Sequence, residues 1–208
     1  MILVSNRFFY NIHAGCPNPV YIKTISCEWI EKYEDEQHML NESNSLTPAN
    51  YFLDPGFIFL AAKPTIISTV LGSCVAVCIY DRKRKVGGMN HFQLPFIDDK
   101  GKTTALYGNV ATLALIRMML DERAKTKHLE AQLFGGAYNS KVSPKDFGHE
   151  NVMAARKVLA NKMIPIISED VGGQMGRKIV FNTHTNEVGV IKVEKLRKKD
   201  WYPYEDDQ

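Results

Sequence analysis

The run Ser68-Thr69-Val70-Leu71-Gly72-Ser73-Cys74-Val75-Ala76-Val77-Cys78-Ile79-Tyr80 sets the pattern for the rest of the chain. A β-rich approach ends in a Gly-Ser turn, a cysteine follows, and a new strand begins. Residues 75–80 alternate, with Val75, Val77 and Ile79 facing one way and Ala76, Cys78 and Tyr80 the other. Both sets are apolar, so the pattern predicts a strand buried on both faces. Residues 81–85 form a charged turn. Residues 86–94 then predict a second strand that pairs back on the first as a hairpin and stops at Pro95. This second strand carries Gly87-Gly88-Met89-Asn90-His91-Phe92.

The hairpin brings together the parts of a cysteine nucleophile. A cysteine attacks as the thiolate, so it needs access and a lowered pKa. Gly72 at a tight turn is expected to expose the thiol and to let a substrate approach the backbone. The N–H groups around Gly72 and Ser73 are expected to stabilise the thiolate and to hold an oxyanion. Paired strands lie about 5 Å apart, so a cysteine at the start of one can meet a histidine near the end of the other. His91 is then the base that such a nucleophile requires. Ser68 and Thr69, on the approach to Cys74, are the nearest groups that can orient its ring. A bland reading stands beside this one. A lone cysteine in a β-rich stretch is usually a small core residue, and Cys78 keeps that role. For Cys74 and His91, spacing alone leaves both readings open.

Outward from the hairpin, the pattern is α/β. Short β-rich runs at 57–61 and 65–70 flank Lys63-Pro64, and the proline must sit at a strand edge or between strands. A helix is predicted over 107–123, with Leu106, Val110, Leu113, Ile116, Met119 and Leu120 at helical spacing. A strand at 131–134 ends in Gly135-Gly136. A second helix runs to about 162, with Val152, Ala155, Val158 and Leu159 inward. Strands at 165–169, 178–182 and 188–193 follow. This succession predicts an α/β fold with a mixed sheet. Residues 1–50 read as an N-terminal extension or linker of unknown role, with a short strand at 1–4 and a helix at 25–40. Residues 51–196 form the globular domain, and 197–208 a polar tail.

Bulk properties exclude several classes. The chain has 208 residues and 45% hydrophobic content, enough for one sizeable core. Its net charge of +3, from 26 basic and 23 acidic residues, argues against a nucleic-acid partner, which calls for a clustered basic face. The four cysteines, Cys16, Cys27, Cys74 and Cys78, form no C-x-x-C pair and no zinc spacing. They predict reduced thiols and a cytoplasmic setting. No apolar run reaches the ~20 residues of a membrane span, so no direct membrane insertion is expected. Gly172-Gly173-Gln174-Met175-Gly176-Arg177-Lys178 superficially suggests a phosphate loop. It lacks Ser or Thr after the lysine, and a strand follows where a helix is required, so it reads as a tight turn. Phe134-Gly135-Gly136 reads equally as a turn or as the wall of a groove for a substrate helix.

Together these blocks carry a resemblance. Leu71-Gly72-Ser73-Cys74-Val75-Ala76-Val77-Cys78, followed by Val86-Gly87-Gly88-Met89-Asn90-His91-Phe92-Gln93-Leu94-Pro95, resembles the signature of the CheD family of chemoreceptor glutamine deamidases. Tyr51-Phe52-Leu53-Asp54-Pro55-Gly56, Tyr107-Gly108-Asn109-Val110-Ala111, Leu133-Phe134-Gly135-Gly136-Ala137 and Glu169-Asp170-Val171-Gly172-Gly173 are similar to further blocks of that family, in order. The resemblance implies a layered sandwich of mixed sheets flanked by helices. It implies Cys74 as nucleophile, His91 as base, and a third residue, a threonine in the family, at Ser68, with Thr69 as its competitor. Substrate contacts are expected at Gly72 and Ser73 and, on the groove reading, at Phe134, Gly135 and Gly136, and the implied chemistry requires no metal or organic cofactor. The implied reaction deamidates receptor glutamines through a thioester and extends to glutamyl methyl esters. The implied partners are the cytoplasmic domain of chemotaxis receptors and a CheC-type phosphatase, and the alternative is a weakly catalytic adaptor. Glu150 stands where the family typically has arginine, and Gln174-Met175 where a more polar pair is usual.

Overall fold

The computed structural model of the chain describes residues 9–11, 21–22, 48–99, 101, 103–141, 143–194 and 196. The strand expected at 1–4, the helix expected at 25–40 and the tail at 197–208 lie outside the described residues. The strands are β1 (Phe9–Asn11), β2 (Tyr21–Ile22), β3 (Ala49–Phe52), β4 (Phe57–Leu60), β5 (Thr65–Leu71), β6 (Val75–Asp81), β7 (Val86–Phe92), β8 (Leu129–Gly135), β9 (Ile166–Val171), β10 (Gly176–Asn182) and β11 (Val188–Val193). The described residues include two α-helices, α1 (Gly108–Asp121) and α2 (Phe147–Asn161), separated by β8.

These elements build three layers. A seven-stranded sheet, ordered β2-β1-β4-β7-β6-β8-β9, lies in the middle, and a four-stranded sheet, ordered β11-β10-β5-β3, covers one of its faces. The helices cover the other. Both sheets are mixed, since β8 pairs with β9 and β3 with β5 in parallel while the remaining pairs are antiparallel. Pro64 falls between β4 and β5, which belong to different sheets, so its missing N–H breaks no ladder.

The alternation in β6 sorts its residues into two cores. Val75, Val77 and Ile79 pack under α1 and α2 with Leu115, Met119, Leu133 and Leu159. Cys74, Ala76 and Cys78 face the second sheet, among Leu53, Ile67, Leu71, Met89, Ile179 and Phe181. Every residue of β6 is buried, as the two apolar sets require. Fully burying each large side chain contributes about 1.5–3 kcal/mol, so the two-sided strand is the main anchor of the hairpin.

The inward face of α1 departs from the sequence expectation. Ala111, Thr112, Leu115, Ile116, Met118 and Met119 are buried, while Leu113 and Leu120 are 42% and 39% exposed. Ile116 and Met119 are inward as expected, whereas Leu113 and Leu120 are not. The small residues Gly108, Ala111 and Thr112 are what let the helix approach the sheet, and a Cβ at Gly108 would collide with the ring of Phe92. On α2 the expected Val152, Ala155, Val158 and Leu159 are all buried, joined by Asn151. Asp146 caps this helix by accepting from the N–H of His149 at 2.8 Å. Glu150, in its first turn, forms an ion pair with Lys145 at 3.1 Å and suits the positive end of the helix dipole.

The described parts of the first fifty residues join both sheets. Phe9 and Tyr10 pair with Phe59 and Ile58, so β1 extends the central sheet at the edge of β4, and β2 pairs with β1 outside it. Strand β3 begins at Ala49 and runs parallel to β5, with Phe52 opposite Ser68. No helix of the described residues is long and apolar enough to cross a membrane.

Candidate active site

His91 sits near the end of β7, opposite Ala76 of β6. Cys74 lies two residues before Ala76, one step beyond the ladder. On one face of an antiparallel pair such diagonal neighbours have backbones about 7–8 Å apart, within reach of a cysteine and an imidazole. Both side chains face the space between the sheets, where Cys74 belongs to the inter-sheet core. His91 there meets a hydroxyl from the second sheet. Its Nδ1 is 2.8 Å from Oγ1 of Thr69. Thr69 in turn donates to the carbonyl of Leu53 at 2.7 Å.

This short chain determines the tautomer. A threonine hydroxyl has one proton, and a backbone carbonyl can only accept. The Thr69 proton is therefore spent on Leu53, and Oγ1 must accept from Nδ1–H of His91. A second contact from Nδ1 to the Leu53 carbonyl, 3.4 Å away, requires the same proton position. The lone pair of the ring is thus on Nε2. The hydroxyl that holds the ring belongs to Thr69 and not to Ser68, which corrects the expectation carried by the resemblance. The reason is strand parity. Ile67, Thr69 and Leu71 are buried toward the central sheet, whereas Ser68 points to the other face and is only half-buried.

A second expectation also changes. Cys74 is not an exposed thiol, for only 7% of its surface is accessible. Burial pushes its pKa up to about 12, although its own backbone N–H pulls the other way. Burial likewise lowers His91 to about 4, opposed by its bond to the Leu53 carbonyl. At neutral pH the pair rests as thiol and neutral imidazole, not as an ion pair. Cys78, fully enclosed in β6, is raised for the same reason and keeps the core role expected of it.

Burial of His91 has a testable consequence for stability. Its folded pKa lies below its ordinary value of 6.5, so between pH 6.5 and about 4 the unfolded chain binds a proton that the folded chain does not. Stability is complete above pH 6.5 and falls as the pH drops through this window, by up to about 1.4 kcal/mol per pH unit. Urea midpoints measured from pH 7 to pH 4 should show this slope, and His91→Gln should reduce it by one proton. A slope identical in the two proteins would contradict the neutral buried ring.

The loop before the nucleophile is clamped from behind. The carbonyl of Gly72 accepts from the N–H of Ala137, and that of Cys74 from the N–H of Gly136, each at 2.8 Å. The carbonyl of Ser73 accepts from Nδ2 of Asn151 at 2.9 Å. Gly135, at φ 108°, must be glycine, since a Cβ there would collide with the carbonyl oxygen of Cys74. Gly135 and Gly136 thus support the loop, and both are buried. Phe134 is only 2% exposed and packs between the sheets, so it walls no groove. Ser73 is exposed and Gly72 half-buried, which leaves the loop itself as the accessible surface above Cys74.

A cleft of about 310 Å³ adjoins this loop, lined among others by Gly136, Tyr138, His149, Arg156, Gly172 and Gln174. Its far wall is the turn after β9, where Gly172 and Gly173 both have positive φ, as the tight-turn reading requires. The buried Arg177 secures that turn, donating to the Gly172 carbonyl at 2.8 Å and to Asp170 at 2.7 Å. His149 is exposed at the start of α2, and His184 is exposed in the β10–β11 turn. Among the described residues no group of three or more His, Cys, Asp and Glu is placed to hold a metal ion.

Sequence reading missed two members of this arrangement, the Leu53 carbonyl and Asn151. A main-chain group leaves no signature in the sequence. Asn151 did leave one, because it is a polar residue on the apolar stripe of α2, where Val152, Ala155 and Leu159 lie.

Comparison with known proteins agrees with the resemblance. The family model described as CheD, chemotactic sensory transduction, matches residues 94–192. That match begins after Cys74 and His91, but the similarity to individual relatives extends further. A protein of Trichlorobacter lovleyi, named a probable chemoreceptor glutamine deamidase CheD, is 38% identical over 151 residues, covering 72% of this chain and 94% of its own length. One of the same name from Sulfurimonas denitrificans is 38% identical over 146 residues, covering 66% and 90%. A third, from Anaeromyxobacter dehalogenans and named a probable chemoreceptor glutamine deamidase CheD 1, is 42% identical over 136 residues, covering 64% and 79%.

Proposed function

Because the chain belongs to the CheD family, we propose that it hydrolyses the side-chain carboxamide of chemoreceptor glutamines to glutamate, with Cys74 as nucleophile and His91 as general base and acid. The observation that carries the assignment of roles is the chain His91 Nδ1–H to Thr69 to the Leu53 carbonyl. It leaves a basic Nε2 on the face shared with Cys74.

The steps follow from that geometry. The Cys74 proton passes to Nε2 of His91 as sulfur bonds to the carboxamide carbon. The carbonyl oxygen becomes an oxyanion, held by N–H groups of the Ser73-Cys74 loop. His91 returns the proton to the departing nitrogen, the C–N bond breaks, and ammonia leaves a thioester. Water attacks this thioester while His91 takes its proton, and the thiol is regenerated as glutamate departs. A resting neutral pair means that the thiolate forms only in the course of attack, so solvent access to a reactive sulfur is avoided. The same site accommodates a glutamyl methyl ester, with methanol leaving in place of ammonia. The setting is the cytoplasm, and a CheC-type phosphatase is the further partner. Burial of Cys74 also favours a second reading, an adaptor of low activity that binds receptors without converting them efficiently.

The full chain, incubated with a receptor cytoplasmic fragment, should give that fragment the mass gain of an amide becoming an acid. Stable complex formation without any gain would leave the adaptor reading, and cleavage of the backbone would indicate a protease. The assignment of the orienting hydroxyl is tested alongside. Thr69→Val should lower kcat by about 10²-fold, while Thr69→Ser and Ser68→Ala stay close to the parent. A larger loss in Ser68→Ala than in Thr69→Val would sink it.

A further inference from the structure

We propose that Asn151 is a positioning residue that holds the Ser73–Cys74 peptide so that the N–H of Cys74 faces the reacting carbonyl. The starting point is the set of three consecutive carbonyls in the nucleophile loop. Those of Gly72, Ser73 and Cys74 are all turned into the protein, onto donors of the two residues that follow β8 and of α2. In a trans peptide the N–H points opposite to the carbonyl of the same plane. Binding the Gly72 carbonyl to Ala137 therefore turns the Ser73 N–H away from the body of the protein. Binding the Ser73 carbonyl to Asn151 turns the Cys74 N–H the same way. That N–H lies against the Cys74 sulfur, beside the position of the carbon under attack.

Two of the three anchors are main-chain N–H groups, which side-chain replacement does not remove. The third is a side chain. Asn151 is 0% exposed, and its Nδ2 makes two bonds of 2.9 Å, to Ser73 and to Gln93. The β6–β7 ladder ends at Val75 opposite Phe92. Asn151 thus bridges the two chains just past their last pair, between the residue before the nucleophile and the second residue after the base. Its Oδ1 is buried with no hydrogen-bond partner among the described residues. The two donors are the useful part of this side chain. Without them the Ser73–Cys74 peptide is free to turn over, which would present a carbonyl oxygen to the oxyanion.

This inference rests on the deamidase reading for its catalytic consequence, though not for its structural one, and the test separates them. Asn151→Leu in the full chain keeps the volume and removes both donors. Three quantities are compared with the parent: kcat and KM on a receptor fragment, the rate of Cys74 alkylation by iodoacetamide, and the amide ¹H–¹⁵N resonance of Cys74. Loss of one oxyanion donor lowers kcat by about 10²–10³-fold, with KM changed by less than about threefold. Alkylation passes through no oxyanion, so it should also stay within about threefold, while the Cys74 amide resonance shifts. A fall in kcat and alkylation together would indicate a general disturbance of the site and overturn the proposal, as would an unchanged kcat. If the parent protein deamidates nothing, the deamidase reading fails, and the amide resonance decides the remainder: a shift supports the peptide anchor and no shift overturns it. Should Asn151→Leu not fold, Asn151→Ser is measured in the same way. If neither folds, Asn151 serves the fold and the proposal is wrong.

Discussion

Cys74→Ala is expected to lose deamidation by about 10⁵–10⁶-fold, with the fold intact, whereas Cys78→Ala retains it. The contrast is informative because the two cysteines share one strand face and one core. Both are buried, and burial raises both thiols. They differ in place. Cys78 lies in the middle of β6, opposite Met89, with both neighbouring strands paired to it. Cys74 lies past the end of the ladder, under an exposed Ser73, diagonal to His91. Replacing Cys78 removes a small core group at a cost of ~1 kcal/mol and touches no reacting atom. Replacing Cys74 removes the atom that forms the thioester. Mass spectra of the receptor fragment after incubation, beside thermal denaturation of each variant, separate the two outcomes. Persisting conversion by Cys74→Ala would end the nucleophile assignment.

His91→Gln should lower kcat by about 10²–10⁴-fold, the usual contribution of a positioned acid–base group. Glutamine approximates the length of the ring and offers no basic nitrogen. The pH profile gives the sharper result. The base must be unprotonated to receive the thiol proton, and burial holds His91 down to about 4. The acid limb of kcat/KM, which reports the free enzyme, should therefore fall below the ordinary histidine value of 6.5. Activity should persist into mildly acidic solution, where an exposed histidine would already be charged. In His91→Gln the residual rate should lose that limb. An acid limb at or above 6.5 in the parent would mean that burial does not hold the ring below its ordinary value, and would overturn that reading.

Much of this protein was legible from local pattern. The hairpin of β6 and β7, its two-sided burial and the mixed α/β order follow from alternation, turn residues and helical spacing, which act over a few neighbours. The α1 stripe was right at Ile116 and Met119 and wrong at Leu113 and Leu120, because close approach to Phe92 favoured Gly108, Ala111 and Thr112. That choice depends on the partner surface, which no local pattern contains. Strand β3 and the pairing of Phe9 with Phe59 were missed for a related reason, since short strands gain their stability from the edge they join.

The site divides in the same way. Sequence by itself determined that Cys74 follows a Gly-Ser turn, that His91 lies on the adjoining strand, and that a hydroxyl precedes them at 68 or 69. Tertiary structure alone decided which hydroxyl, because only the stacking of the second sheet makes the face of Thr69 the inner one. It also decided the charge state, since burial between two sheets turns an expected thiolate into a resting thiol. And it brought in Asn151, 78 positions from Ser73, as the third anchor of the nucleophile loop. Orientation, desolvation and long-range hydrogen bonds arise from what packs against a segment, and for this hairpin those partners come from both ends of the chain.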